Sequence, residues 1–191
     1  MIEKGKAPIQ IFVVFEKIKV NLLTTESYSN SFYINIPKKW LYTLNIFFKN
    51  ELTMSESSLI DLSAFDSINY KNLKSNINFF FKKNNIIIFY LYYFYFLKIK
   101  IIISVFYNIF KKENVKSIDN LYFNSNWLER EAAEMFGINY FFKKDLRKLL
   151  TDYSNIDNPL LKSYPTEGFN DIFYNFFEDQ VIFNSNNSIE L

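Results

Sequence analysis

Three glutamates, Glu129, Glu131 and Glu134, stand with Arg130 in a single run, NWLEREAAEMF, at positions 126–136. Carboxylates gathered beside a guanidinium could relay protons or hold a cation. The chain offers such chemistry little support. Its 191 residues include no His and no Cys. The commonest general base and transition-metal ligand is therefore missing, and so are thiolate nucleophiles, disulfides and iron–sulfur ligation through Cys. With three glycines and no GxGxxG or GxxxxGK[ST] run, a phosphate cradle is not expected either. A plainer reading makes the glutamates helix-capping and dipole-complementing residues, with Arg130 and Glu134 forming an i,i+4 pair. The reading preferred over both is a helix face offering salt bridges to a partner, Arg130 gripping a carboxylate with two hydrogen bonds.

Composition points to the same place. Lys, Asn, Ile, Phe and Tyr make up more than half the chain, the profile of AT-rich codons, which suggests an organelle genome first and an AT-rich bacterium second. Gly, Ala, Arg and Pro number only 13, and eight of them lie within 126–168. Where such a bias breaks, specific side-chain chemistry is being demanded. The net charge of +2 and the scattered lysines argue against nucleic acid. Positions 1–20 carry Glu3, no Arg and a short apolar run, so neither a secretory nor a transit peptide is expected.

The elements that must position the motif can be read from periodicity. Alternation predicts strands over 31–36 and 59–65, with a polar loop over 66–78. Pro37 suits the first position of a helix carrying Trp40, Leu41, Leu44, Phe47 and Phe48. The apolar stretch 86–106 contains Lys98 and Lys100, each costing about 2.5–3.5 kcal/mol inside a membrane helix. Period-two patterning and β-branched residues favour a hairpin, 86–94 with 98–106. Asn126 with Glu129 reads as a capping box, Leu128, Ala132, Met135 and Phe136 as the helix's apolar side, and Gly137 as its left-handed stop. Asp145 would cap a second, shorter helix marked by Leu146, Leu149, Leu150 and Tyr153. Beyond it, an extended aromatic tail punctuated by Pro159, Pro165 and Gly168 needs something to lie on.

The runs NWLEREAAEMFGI, DLRKLLTDY and NPLLKSYPTEGF, in that order and spacing, resemble a family of respiratory complex I subunits whose organelle form is NADH dehydrogenase subunit 9. The matching positions begin with Asn126, Trp127, Glu129, Arg130, Glu131, Met135, Phe136, Gly137 and Ile138. They continue through Asp145, Leu146, Arg147, Leu150, Thr151, Asp152 and Tyr153 to Pro159, Leu160, Lys162, Pro165 and Gly168. Upstream, LIDLSAFD and IKIIISVF resemble the family's strands. The chain departs from the family at Lys143 and Lys144, where His-Pro is usual, and at Ser154, Leu161, Ser163 and Phe173. The resemblance implies a cofactor-free subunit of the hydrophilic arm, packed against the quinone-site large subunit and adjacent iron–sulfur subunits. Iron–sulfur clusters, FMN and ubiquinone would belong to those partners. The implied location is the matrix side of the mitochondrial inner membrane or, as the alternative, the cytoplasmic face of a bacterial membrane, with no span and no nucleic acid. Motif residues expected at a subunit interface are Trp127, Glu129, Arg130, Glu131, Phe136, Gly137, Asp145, Arg147, Asp152, Tyr153, Pro159, Lys162 and Pro165.

The expected fold is α+β: a mostly antiparallel sheet with helices on one face, then a short helical motif and an extended C-terminal tail. Residues 1–30 would form an N-terminal extension, 31–137 the α+β domain and 138–191 a wrapping segment. The rival readings are a small integral membrane protein spanning at 86–106 and a free-standing binding module related to hydrogenase homologues.

Overall fold

A computed structural model describes residues 25–28, 31–52, 54–68, 85–109, 111 and 114–185. Short strand β1, Thr25–Tyr28, pairs antiparallel with β2, Ser31–Ile36. Helix α1, Lys38–Asn50, follows, with Pro37 just outside it as the N-cap rather than as its first residue. Strands β3 (Ser57–Asp66), β4 (Asn85–Phe94) and β5 (Ile99–Asn108) complete a five-stranded sheet in the order β1-β2-β5-β4-β3. Within this sheet, among the described residues, only the β2–β5 contact is parallel. The expected loop over 66–78 lies almost wholly outside the described residues.

Strand alternation builds the core. Antiparallel register sets Ile86 opposite Tyr107, Ile88 opposite Val105, Tyr90 opposite Ile103 and Tyr92 opposite Ile101, all on one buried face. Leu41, Leu44 and Phe48 of α1 are fully buried with that face, Phe48 meeting Tyr92 and Phe94 edge to ring. Stretch 86–106 is thus a hairpin, which removes the single-helix span. Among the described residues no helix is long and apolar enough to cross a membrane.

Strand β6 (Asn114–Lys116) leads into α2 (Ser125–Phe136), and β7 (Asn139–Phe141) returns parallel to β6. The approach to α2 is tied to β3. Tyr122 and Ser57 share a 2.8 Å hydroxyl bond, and Asn124 donates its amide to the Leu59 carbonyl. Burial pushes the Tyr122 phenol up to about 12, with the Ser57 bond opposing it. Helix α2 seats Ala132 and Phe136 in the core and ends at Gly137 in the left-handed conformation, as its position predicted.

Several expectations for the C-terminal part fail. Asn124, not Asn126, is the N-cap, and it makes no side-chain cap bond. No helix forms over 146–153; that stretch is irregular. The tail is not merely extended: Asn170–Asn175 (β8) and Gln180–Ser185 (β9) pair as an antiparallel hairpin.

Candidate functional site

The motif residues gather around the two flanks of α2. On the inner flank, Glu129 is fully buried and accepts from Ser117 Oγ at 2.5 Å and the Ile118 amide at 2.9 Å. Lys143 Nζ lies 3.1 Å from the same carboxylate and donates also to Asn126 Oδ1, with neither side chain of the ion pair reaching solvent. Burial lifts the Glu129 carboxyl above its ordinary value, while the Ile118 and Ser117 bonds and the Lys143 charge pull it back. The capping-box role for Glu129 is therefore wrong. It joins the β6–α2 connection to the chain leaving β7.

On the outer flank, α2 holds an irregular loop through groups that helical periodicity had paired with each other. Arg130 donates Nε to the Arg147 carbonyl at 2.9 Å and Nη2 to the Lys148 carbonyl at 3.2 Å. Its Nη1 stands 3.7 Å from Asp145. Glu134, the supposed i,i+4 partner, instead accepts the amides of Leu149 (2.7 Å), Leu150 (3.1 Å) and Thr151, with the Thr151 hydroxyl as a fourth donor. Burial alone would raise this carboxyl. The Thr151 hydroxyl and the three amides outweigh it and hold the group down at about 2.

Asp145 caps no helix. Its carboxylate receives a two-pronged grip from Arg147 Nε at 3.0 Å and Nη2 at 2.9 Å, plus the Arg147 amide, which hold it well below the usual carboxylate range. Further along, Asn158 Nδ2 donates to the Glu134 carbonyl at 2.7 Å and the Leu160 amide to the Met135 carbonyl at 3.1 Å. Gly137 permits this closeness: at φ 69° a Cβ there would sit 2.7 Å from Asn158 Oδ1. Finally the Lys162 amide meets Asp66 Oδ2 at 3.1 Å, and its Nζ lies 5.2 Å over Phe65. Residues 145–162 are stapled to α2 at one end and to β3 at the other.

Exposure divides the thirteen motif residues. Glu129 and Phe136 are buried, while Arg130, Gly137, Asp145, Pro159 and Pro165 are partly so. Glu131, Arg147, Asp152 and Lys162 are exposed. Trp127 is 63% and Tyr153 75% exposed, with the Arg130 guanidinium 5.9 Å from the Trp127 ring. Around Tyr153, Leu146, Leu150, Ile156 and Leu160 also face outward. Lys143, Ser117 and Asn158 are participants that residue patterning did not single out. Lys143 alone carried a signal, as a departure from the family's usual residue. Both buried glutamates have their oxygens engaged by donors of their own chain, an arrangement for fixing conformation. No group of three or more Asp or Glu gathers for a metal among the described residues.

Fold and site together define an α+β domain whose motif residues hold one irregular segment, with several apolar side chains facing outward. The same fold occurs in a chain of the membrane-bound sulfane sulfur reductase, an archaeal respiratory membrane complex, with a TM-score of 0.62, 12% identity and coverage of 82% of this chain and 84% of that one. The family model described as respiratory-chain NADH dehydrogenase, 30 Kd subunit, matches residues 34–170. This chain belongs to that family. NADH-ubiquinone oxidoreductase subunit 9 of Paramecium primaurelia is 34% identical over 96% of this chain and 87% of its own length. A bacterial relative, one of the subunits of NADH-quinone oxidoreductase in Cereibacter sphaeroides, is 38% identical over 37% of this chain and 36% of its own.

Proposed function

We propose that the chain is a non-catalytic structural subunit in the quinone-reducing module of a respiratory NADH:ubiquinone oxidoreductase. It sits on the matrix side of the mitochondrial inner membrane and holds together neighbours that carry the iron–sulfur clusters, FMN and quinone site. One observation carries the reading. Glu129, Arg130, Glu134 and Asp145 of the motif are engaged within the chain, while Leu146, Leu150, Tyr153, Ile156 and Leu160 are left exposed on the loop that Arg130 and Glu134 hold. Apolar side chains held outward at fixed positions suit a protein interface, where buried aromatic and aliphatic anchors supply most of the affinity. The absence of Cys and His in the whole chain agrees with a subunit that carries no redox centre of its own.

Native-gel fractionation of solubilised membranes, with NADH-dehydrogenase staining and mass spectrometry of the active band, tests membership in the assembly. Arg130→Ala, which frees the loop, should lower the abundance of assembled complex several-fold without changing turnover per complex. Normal abundance with lost turnover would assign the loop to catalysis instead.

A further inference from the structure

The proposed subunit role leaves open what kind of surface meets the C-terminal segment, and its charge supplies an answer. Between 152 and 185 stand six carboxylates, Asp152, Asp157, Glu167, Asp171, Glu178 and Asp179, against Lys162 alone. That is a net charge of −5 in a chain whose total is +2. The one cation is turned back onto the Phe65 ring. The same stretch carries outward-facing aromatics, among them Phe173, Phe176 and Phe177. A two-stranded hairpin such as β8–β9 is marginal without a surface to lie on. An acidic and aromatic segment calls for a basic one.

A cavity of about 260 Å³ opens between the 152–157 stretch and the base of the hairpin. Tyr164 and Phe169, edge to face with centroids 5.2 Å apart, and Phe183 contribute its rings, while Asp152 and Asp157 contribute its charge. No Lys or Arg lines it. Among the described residues no hydrogen bond to either carboxylate is found, Lys148 Nζ reaching only the Asp152 carbonyl at 3.1 Å, while Asp157 also borders an adjoining cavity lined by Arg130, Arg147 and Lys148. We propose that this cavity receives a cationic side chain, a lysine or arginine, from a basic face of the neighbouring subunit. Carboxylates supply the counter-charge, and aromatic faces attract a cation lying over them. An apolar side chain seated there would desolvate Asp152 and Asp157 without compensation. An acidic partner would meet the segment's net negative charge.

The test uses the assembled complex, with wild-type, Asp152→Asn/Asp157→Asn and Phe169→Leu chains, and Glu56→Gln, an exposed carboxylate far along the sequence, as control. Each is measured as the amount of chain retained in the complex on native gels over a series of salt concentrations. The expected result is a loss of about tenfold in retained double-Asn chain at moderate salt, a smaller loss for Phe169→Leu, and wild-type behaviour for Glu56→Gln. Retention of the double-Asn chain equal to wild type overturns the proposal. So does a loss confined to Phe169→Leu, which would mark an apolar seat. Absence of the wild-type chain from the complex would instead defeat the subunit reading on which this rests.

Discussion

Replacing Lys143 by Met tests the buried ion pair directly. Met keeps an unbranched stem of similar reach but removes the one cation that, among the described residues, pairs with Glu129, whose other donors there are Ser117 Oγ and the Ile118 amide. Breaking one side of a fully buried pair costs about 3–5 kcal/mol, because an uncompensated charge stays behind. The carboxyl can limit that loss by taking up a proton, and burial already lifts it above 4.5. A carboxyl whose folded pKa is raised favours the fold below its unfolded value and loses that contribution as pH rises through the folded value. The deficit of Lys143→Met should therefore be small near pH 4.5 and full near pH 8. With an m-value of about 2–3 kcal/mol/M in urea, the midpoint shifts down by about 1–2 M at the higher pH. Equilibrium unfolding of the full chain followed by circular dichroism reads this. Glu129→Leu combined with Lys143→Met should recover much of the loss, since apolar replacement of a whole buried pair is often neutral. Equal shifts at both pH values, or a double variant whose loss is the sum of the two single ones, would refute the coupling.

Three further outcomes follow from the same geometry. Gly137→Ala should cost about 1–2 kcal/mol for the left-handed backbone, lowering the melting temperature by about 2–8 °C, with more from displacing Asn158. Glu134, held at about 2 against an ordinary 4.5, contributes stability that is present above the unfolded value and lost as pH falls from 4.5 towards the folded one. After allowance for solvent screening at this edge of the domain, that contribution is about 1–2 kcal/mol. The amide resonances of Leu149, Leu150 and Thr151 should titrate with a midpoint near 2, and a midpoint above about 4 would show the cradle unformed. Arg130→Lys should fail to restore assembly in the native-gel assay, because an ammonium cannot reach two carbonyls and Asp145 with a planar fork.

Strands β2, β4 and β5 were legible because each buries one face, whereas β1 falls in the stretch read as an N-terminal extension. The hairpin expected at 86–94 and 98–106 is found at Asn85–Phe94 and Ile99–Asn108, and the alternation that revealed it is the alternation between the helix-covered face and the other. Helix α1 was legible for a like reason, since Leu41, Leu44 and Phe48 repeat at helical spacing and are all buried. The stretch 146–153 misled because its leucines repeat at the same spacing. Its backbone groups, however, are claimed from outside: Glu134 takes the amides of Leu149 to Thr151, and Arg130 takes the carbonyls of Arg147 and Lys148. A one-turn helix is costly to nucleate and loses that competition. The hairpin at 170–185 was missed because both of its faces are largely exposed, so burial imposes no alternation on its sequence.

The site was legible in place but not in role, and composition marked it better than charge did. This chain uses 20 Lys and only two Arg, so a position that needed nothing beyond positive charge would be filled by Lys. Both Arg stand where an ammonium would not serve: Arg130 spans two carbonyls and nears a carboxylate, and Arg147 grips Asp145 with two nitrogens. Lys143, by contrast, delivers one point charge to Glu129 and Asn126 in a closed space, a task within an ammonium's geometry. Gly137 obeys the same logic, holding a left-handed turn where a Cβ would come within 2.7 Å of Asn158 Oδ1. Residue types that the bias disfavours persist where geometry admits no substitute. What they secure is the conformation of residues 145–162, which the loop's own backbone, lacking helix or strand pairing, could not hold.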